Sequence, residues 1–407
     1  MRSQDKITTM KVCFETFGCR LNRAEALEEE AKLLADGWQL THSHSDADML
    51  VIRGCSVTSR AQHDCERLIA HLRMKYPNKR IVIQGCLADA TKPGTQKITQ
   101  LRRVPTAKPK QERFVIPTRT ARAYLKVQDG CSGKCTFCIV PKFRGTSTSI
   151  DFDEVMDRAK RFIEAGYHEI VVTGCNLSLY ASQGKRLPEL LSALAEIGSQ
   201  GHCRIRLGSL EPGGCAIETV NAIADHDNIC NFLHLTIQSG SNKILTAMRR
   251  PYLIKDVEKT IGEALSRLPK IGLGCDLISG FPDESEMDHL ASKALLSDLP
   301  FSNAHIFPYS KRPQTLAAAF PNPIPRETRS ARAHELARIA DEKRRGFAKR
   351  FVGEPVDVLI EDEENQAGWT AEYIWFERKD LTSTPTIPRK HLATLTVSEV
   401  KHGHLRG

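Results

Sequence analysis

No hydrophobic run in this 407-residue chain approaches the length needed to cross a bilayer, and the opening "MRSQDKITTM" lacks the apolar core of a secretory leader. A membrane protein is not expected, and the expected location is the cytoplasm. In that reducing compartment thirteen cysteines do not suit a disulfide framework and point to metal ligation instead. Acid is in deficit: 49 Asp and Glu against 58 Lys and Arg leave a net charge of +9, a weak indication of a polyanionic partner. Solenoid repeats and low-complexity tracts are missing as well. What remains, 41% hydrophobic and 26% charged residues, is ordinary globular composition, in a chain long enough for two or three domains.

A fourth cysteine is missing where one would be wanted. "CSGKCTFC", Cys131 to Cys138, sets three cysteines at C-x3-C-x2-C directly after the strand-like "AYLKVQ". A closed zinc site takes four ligands, usually as two spaced pairs. A four-iron cubane wants one external thiolate per iron, so three cysteines leave one iron open to a small molecule.

The first hundred residues read as a small parallel α/β unit. Strands "KVCFETFGC", "DMLVIRGC" and "RIVIQGC" end at Cys19, Cys55 and Cys86, with helical segments between them. Parallel strands put their carboxyl ends on one edge, where open α/β sheets gather ligands, so three Gly-Cys pairs converge there. Residues 92–119 carry Pro93, Pro105, Pro109 and Pro117 among many basic residues and read as a solvated linker. From Tyr124 six strands alternate with helices: "AYLKVQ", "EIVVTGC", "RIRLGSL", "FLHLTIQSG", "IGLGCDLISGFP" and "AHIFPYS". This is the pattern of a partial (β/α)6 barrel, whose functional loops follow the strands' carboxyl ends. Arg326 to Phe351 is a basic helix, and the alternating sequence after it reads as a small antiparallel β-barrel. The expected division is 10–100, 119–350 and 351–407. The last part carries no candidate cluster cysteine and is expected to be dispensable for the chemistry.

With these motifs in order, the chain resembles the radical S-adenosylmethionine superfamily, and within it the methylthiotransferases. The matching segments are "TFGCRLNRAEAL", "VIRGCSVT", "VIQGC", "DGCSGKCTFCIVPKFRG", "RIRLGSLEP", "LHLTIQSGSNKILTAMRRPY", "DLISGFPDESEMD" and "IFPYSKRPQTLAA", covering nearly the whole chain. The resemblance implies two [4Fe-4S] clusters. Cys131, Cys135 and Cys138 would hold the one that binds S-adenosylmethionine, and Cys19, Cys55 and Cys86 an auxiliary one on the N-terminal domain. It also implies reductive cleavage of S-adenosylmethionine to a 5′-deoxyadenosyl radical, which replaces an unreactive C–H hydrogen with a methylthio group. A second S-adenosylmethionine supplies the methyl. A reducing electron donor is required; neither it nor the sulfur source is named by the sequence.

Candidate contacts to S-adenosylmethionine at the barrel's strand ends are Thr173, Gly174, Asn176, Glu211 and Gln238, with structural caps an equal alternative for each. Arg206 and His234 are left unassigned. "GCRLN", "SLEP" and "FPYSKRP" resemble the branch acting on N6-threonylcarbamoyladenosine beside the tRNA anticodon. The alternatives are the isopentenyladenosine and ribosomal-protein aspartate branches, or a non-catalytic metal-containing RNA-binding protein. The C-terminal unit matches the family's small RNA-binding-type (TRAM-like) domain, with the basic helix adding phosphate contacts. Tyr373, Trp375 and Phe376 read as core rather than base-stacking platforms. Two features depart from the family: a short stretch between Cys86 and Cys131, and "VIRGC" in place of the usual "VINTC", which puts Arg53 two residues before Cys55.

Overall fold

The computed structural model describes residues 9–90, 114–379 and 386–407. They form two compact units. One ends at Arg119 and also takes in Lys142–Arg144; the other holds Thr120–Pro141 and Gly145–Gly407. Most of the basic linker read at 92–119 lies outside the described residues. None of the described helices is long and apolar enough to cross a membrane.

The first unit runs β1 (Lys11–Thr16), α1 (Arg20–Ala35), β2 (Met49–Gly54), α2 (Ser59–Lys75) and β3 (Arg80–Gly85), with a two-residue strand, Gln39–Leu40, on the outer edge of β1. All pairings are parallel, in the order Gln39–Leu40, β1, β2, β3. Central β2 is buried at Met49 to Ile52, as a strand covered on both faces requires. The Thr58 side chain caps α2 by accepting from the Ala61 N–H. That helix packs Cys65, Ile69 and Leu72 against Leu50, Ile52 and Ile83. Register pairs Thr16 with Arg53 and Gly54 with Gly85, so the three strands finish level with one another.

The second unit carries the six expected strands: β4 (Ala123–Lys126), β5 (Glu169–Thr173), β6 (Arg204–Leu207), β7 (Phe232–Gln238), β8 (Gly272–Ser279) and β9 (Asn303–Pro308). β4, β5 and β6 pair in parallel, and the chain continues through Ser209–Leu210 to pair with β7, then β8 and β9, again in parallel. Amphipathic helices α3 (Phe152–Glu164), α4 (Leu187–Gln200), α5 (Gly214–Asp225), α6 (Ile254–Arg267) and α7 (Glu286–Asp298) connect them. The basic helix α8 (Arg326–Lys349) packs against β9 and α7.

The last strands are β10 (Pro355–Asp362), β11 (Ala367–Thr370), β12 (Trp375–Glu377), β13 (Leu392–Thr396), β14 (Glu399–Lys401) and β15 (His404–Arg406). They form one six-stranded sheet, ordered β13-β10-β11-β12-β15-β14. The expected antiparallel pairing holds except between β12 and β15, where Phe376 and Leu405 pair in parallel. These two strands are far apart in sequence, so no tight hairpin turn sets their relative direction. Phe376 is fully buried in the core of this sheet. Tyr373 stacks on Trp369 at 4.4 Å and lies over the Arg206 guanidinium.

The sheet closes the barrel floor through charge. Glu169, fully buried on β5, accepts from Arg206 Nε at 2.8 Å and from Arg204 Nε at 2.6 Å. The arginines' other donors go to carbonyl oxygens of the C-terminal sheet: Asp357 at 2.9 Å, Trp369 at 2.7 Å, Thr370 at 2.8 Å and Ala371 at 3.2 Å. Arg122 completes the layer, bonded to Glu361 at 2.6 Å. The C-terminal sheet is therefore packed on the barrel through two buried arginines, and its removal would hand their donors to water.

Burial alone would raise the Glu169 pKa, but Arg206 and Arg204 outweigh it and hold the carboxyl well below its usual range. A depressed folded-state pKa contributes stability that is present above the ordinary carboxylate range and lost as the pH falls below it. Glu169→Gln should therefore cost about 3–5 kcal/mol at neutral pH, the scale of breaking a buried ion pair, and the gap to wild type should narrow in acid. Denaturant melts at several pH values measure this; a loss under about 1 kcal/mol would mean that the arginines do not depend on this charge. A chain ending at Phe351 should melt at lower temperature than the full chain, with lower soluble yield.

Candidate functional site

In the first unit each of three turns places a cysteine just past a strand end. Gly18 and Gly85 adopt φ of +98° and +71°, a left-handed conformation that side chains rarely take, which lets the chain turn sharply into Cys19 and Cys86. Space is a second requirement, since a Cβ on Gly18 would lie 2.8 Å from Cys55 Cβ and 3.1 Å from its sulfur. Asn22 of "GCRLN" is buried and ties two of the turns, donating to the carbonyls of Phe17 at 2.9 Å and Gly54 at 3.1 Å. Cys55 and Cys86 are buried, Cys19 is exposed, and the Cys19 and Cys86 thiols are electrostatic neighbours of Cys55. Burial pushes the Cys55 thiol up to about 11.

Arginine supplies the opposing charge. Arg144, in the short segment that belongs to this unit, donates through Nε to Cys86 Sγ at 3.4 Å, through a second nitrogen to Glu25 at 3.0 Å and through a third to Asn22 at 2.8 Å. Arg53, the departure from the family pattern, bonds Glu25 at 2.9 Å, Glu29 at 3.1 Å and Gln84 at 3.0 Å. Its charge is spent on the acidic face of α1, and Glu25 carries both arginines. Cys13 stands apart in the core beside Glu15 and His44.

In the second unit the loop after β4 gathers the other triplet. A Cβ on Gly133 would lie 3.2 Å from Cys131 Sγ and 3.8 Å from Cys135 Sγ, so both sulfurs face one small space. The Gly133 N–H donates to Cys131 Sγ at 3.3 Å. Cys138 follows within one turn, its N–H bonded to the Cys135 carbonyl, and burial pushes its thiol up to about 12. Arg250 donates to Cys135 Sγ at 3.0 Å, to the Tyr252 hydroxyl at 2.6 Å and to Glu211 at 3.1 Å. Sequence reasoning assigned no role to Arg250, although the pair of arginines in "MRRPY" closes the matched segment "LHLTIQSGSNKILTAMRRPY".

The proposed cofactor contacts separate into two groups. Asn176 Nδ2 lies 3.9 Å from Cys131 Sγ, and Glu211 reaches the cysteine loop through Arg250. Gln238 ends β7 with φ of +79°. Thr173 is buried within the β5 pairing, and Gly174 is covered by Gln128, whose Oε1 would lie 2.9 Å from a Cβ there. Gln128 also accepts from the Asn176 N–H at 2.9 Å and donates to Ser147 Oγ at 2.9 Å. It sets the floor of the site. Cys275 is fully buried, whereas Cys175 is only half-buried, with its sulfur 3.5 Å from Asp129.

Both triplets fit an anionic thiolate-bound cluster. In each, three cysteines converge, and a largely buried guanidinium donates to one sulfur, which favours the deprotonated form.

Comparison with known proteins agrees. A model of the radical SAM superfamily matches residues 125–295, and one described as uncharacterized protein family UPF0004 matches 11–104. The threonylcarbamoyladenosine tRNA methylthiotransferase MtaB of Aquifex aeolicus is 30% identical over 87% of this chain and 93% of its own length. The protein of that name from Bacillus subtilis is 30% identical over 89% of each chain. The tRNA-2-methylthio-N(6)-dimethylallyladenosine synthase of Chlorobium limicola is 28% identical over 88% of each. Among solved structures, the radical S-adenosylmethionine methyltransferase TsrM from Kitasatospora setae superposes with a TM-score of 0.54 at 12% identity, covering 76% of this chain and 77% of that one, a likeness of fold. The chain belongs to the radical S-adenosylmethionine methylthiotransferases, enzymes that use S-adenosylmethionine and two iron–sulfur clusters.

Proposed function

We propose that this enzyme methylthiolates C2 of N6-threonylcarbamoyladenosine beside the anticodon of tRNA. The observation that carries this reading is "GCRLN", the motif of the threonylcarbamoyladenosine branch, with its Asn22 built into the turns around Cys19 and Cys55. The names borne by the Aquifex and Bacillus relatives support it.

Cys131, Cys135 and Cys138 are assigned to the cluster that binds S-adenosylmethionine, and Cys19, Cys55 and Cys86 to the auxiliary cluster. The bound groups supply the radical and the sulfur. The chain's own residues orient and enclose them. Arg250 fixes the Cys135 thiolate and holds Glu211 beside it. Asn176 stands over Cys131, and Arg144 holds Cys86. An electron donor of low potential and a soluble, cytoplasmic setting complete the reading.

A cleft of about 540 Å³ between α7 and α8 is lined by Lys293, Arg338, Lys343 and Arg350 and offers a basic surface to phosphate, with Lys293 paired to Glu335 and Arg338 to Glu342. The rest of α8 offers less to phosphate than its composition implies. Arg332 bonds Glu284 and Glu286, while Arg344 and Arg345 both bond Asp341.

Anaerobic reconstitution should give about eight irons per chain, as two cubanes. The C131A/C135A/C138A variant should keep about four and release no 5′-deoxyadenosine. The C19A/C55A/C86A variant should still release it but form no methylthio product; loss of both activities in a folded protein would overturn this division of labour. Mass spectrometry of tRNA nucleosides from a deletion strain should show 2-methylthio-N6-threonylcarbamoyladenosine absent and restored by the gene. Loss of the methylthiolated isopentenyl nucleoside instead would assign the enzyme to the other tRNA branch.

A further inference from the structure

A polar cluster on the barrel's inner face belongs to neither cysteine site. His234 on β7, Asp276 on β8 and His305 on β9 stand on three adjacent strands, and their ligand atoms all lie within 4.8 Å of one another. His234 is four residues before the end of β7, Asp276 three before the end of β8 and His305 three before the end of β9. At about 3.3 Å per residue the cluster sits roughly 10–13 Å below the strand ends. That depth is a separate layer from the candidate cofactor contacts at the rim.

The register and one glycine build it. Asp276 pairs directly with His305, while His234 pairs with Gly274. A Cβ on Gly274 would lie 2.4 Å from His234 Nδ1, so the imidazole lies across bare backbone to reach Asp276 on the neighbouring strand. His234 Nε2 is 2.9 Å and His305 Nδ1 3.2 Å from the same oxygen, Asp276 Oδ1. Donor atoms around one ion, with metal–ligand bonds of about 2.1 Å, stand about 3.0–3.4 Å apart. The two spacings to Asp276 Oδ1 are close to those edges, and the two imidazole nitrogens lie within 4.8 Å of each other. His234 is buried, whereas His305 is exposed toward the open edge strand, so the cluster has a closed side and an accessible one.

We propose that His234, Asp276 and His305 form a further metal site, binding one divalent first-row transition ion. Two imidazoles and one carboxylate on one face, with the other positions open, suit zinc, ferrous iron or manganese, whereas magnesium and calcium want oxygen throughout. The bound ion ties edge strand β9 to β7 across β8, with its open positions on the side of exposed His305.

Zinc is the probe. Cluster-loaded, tRNA-free protein is dialysed anaerobically against zinc chloride, and zinc and iron are measured together. Zinc taken up by any vacant thiol site is common to wild type and to variants that keep all the cysteines. Wild type should hold about one zinc per chain more than His305→Ala or Asp276→Asn at equal iron content, with affinity weakened about tenfold or more in the variants. Gly274→Ala, which keeps all three ligands but displaces the His234 ring, should lose the same zinc. His305 is exposed, so its variant keeps the test decisive even if the Asp276 variant fails to fold. Equal zinc uptake by wild type and His305→Ala, at equal iron, would overturn the proposal and leave a hydrogen-bonded trio.

Discussion

A single buried negative charge holds the larger unit together. Glu169 carries Arg204 and Arg206 on a barrel floor that has no access to water. Neither arginine could be buried without it, and neither is satisfied by it alone. Their remaining donors reach for main-chain carbonyls of the C-terminal sheet, so one carboxylate fixes the first three barrel strands and the position of a sheet some 200 residues further along the chain. The strand ends opposite that floor are left free for loops, and the cysteine loop after β4 is one of them. Stability and chemistry thus occupy opposite ends of the same strands, the division expected of barrels.

Around the cysteines electrostatics repeats in a smaller form. Each triplet has one arginine on one sulfur and one glutamate behind that arginine: Arg144 with Glu25 at Cys86, and Arg250 with Glu211 at Cys135. The glutamate orients the guanidinium, whose charge favours thiolate over thiol where burial alone favours the reverse. The two arrangements are built on unrelated elements, so the likeness follows from what a buried thiolate cluster requires.

Much of this was legible in the sequence. Hydrophobic runs ending in Gly-Cys gave the N-terminal strands, and six strand–helix repeats gave the barrel, because periodicity and punctuation are local signals. The two cysteine triplets were legible for the same reason. Their arginine partners were not. Arg250 meets Cys135 across 115 residues and Arg144 meets Cys86 across 58, and no local pattern encodes such distances. Arg53 looked like a defect in a motif and proved to be the partner of Glu25 and Glu29. The C-terminal sheet was read correctly as β, but its one parallel pairing and its role in sealing the floor depend on long-range closure. The composition of α8 was legible and its charge misleading, since Arg332 is paired with Glu284 and Glu286, and Arg344 and Arg345 with Asp341 of the helix itself.

Lys142–Arg144 belongs by its packing to the N-terminal unit, although the chain on both sides of it belongs to the barrel. The boundary between the units is therefore not a single point in the sequence. Recombination at the linker, whether by a gene fusion or by an engineer exchanging N-terminal domains between relatives, would carry away Glu25 and Cys86 and leave their arginine behind. A working chimera has to move two separate pieces of sequence at once. Inheritance of the N-terminal domain is thus tied to six residues past Cys138, and the two halves of this enzyme are expected to have diverged together.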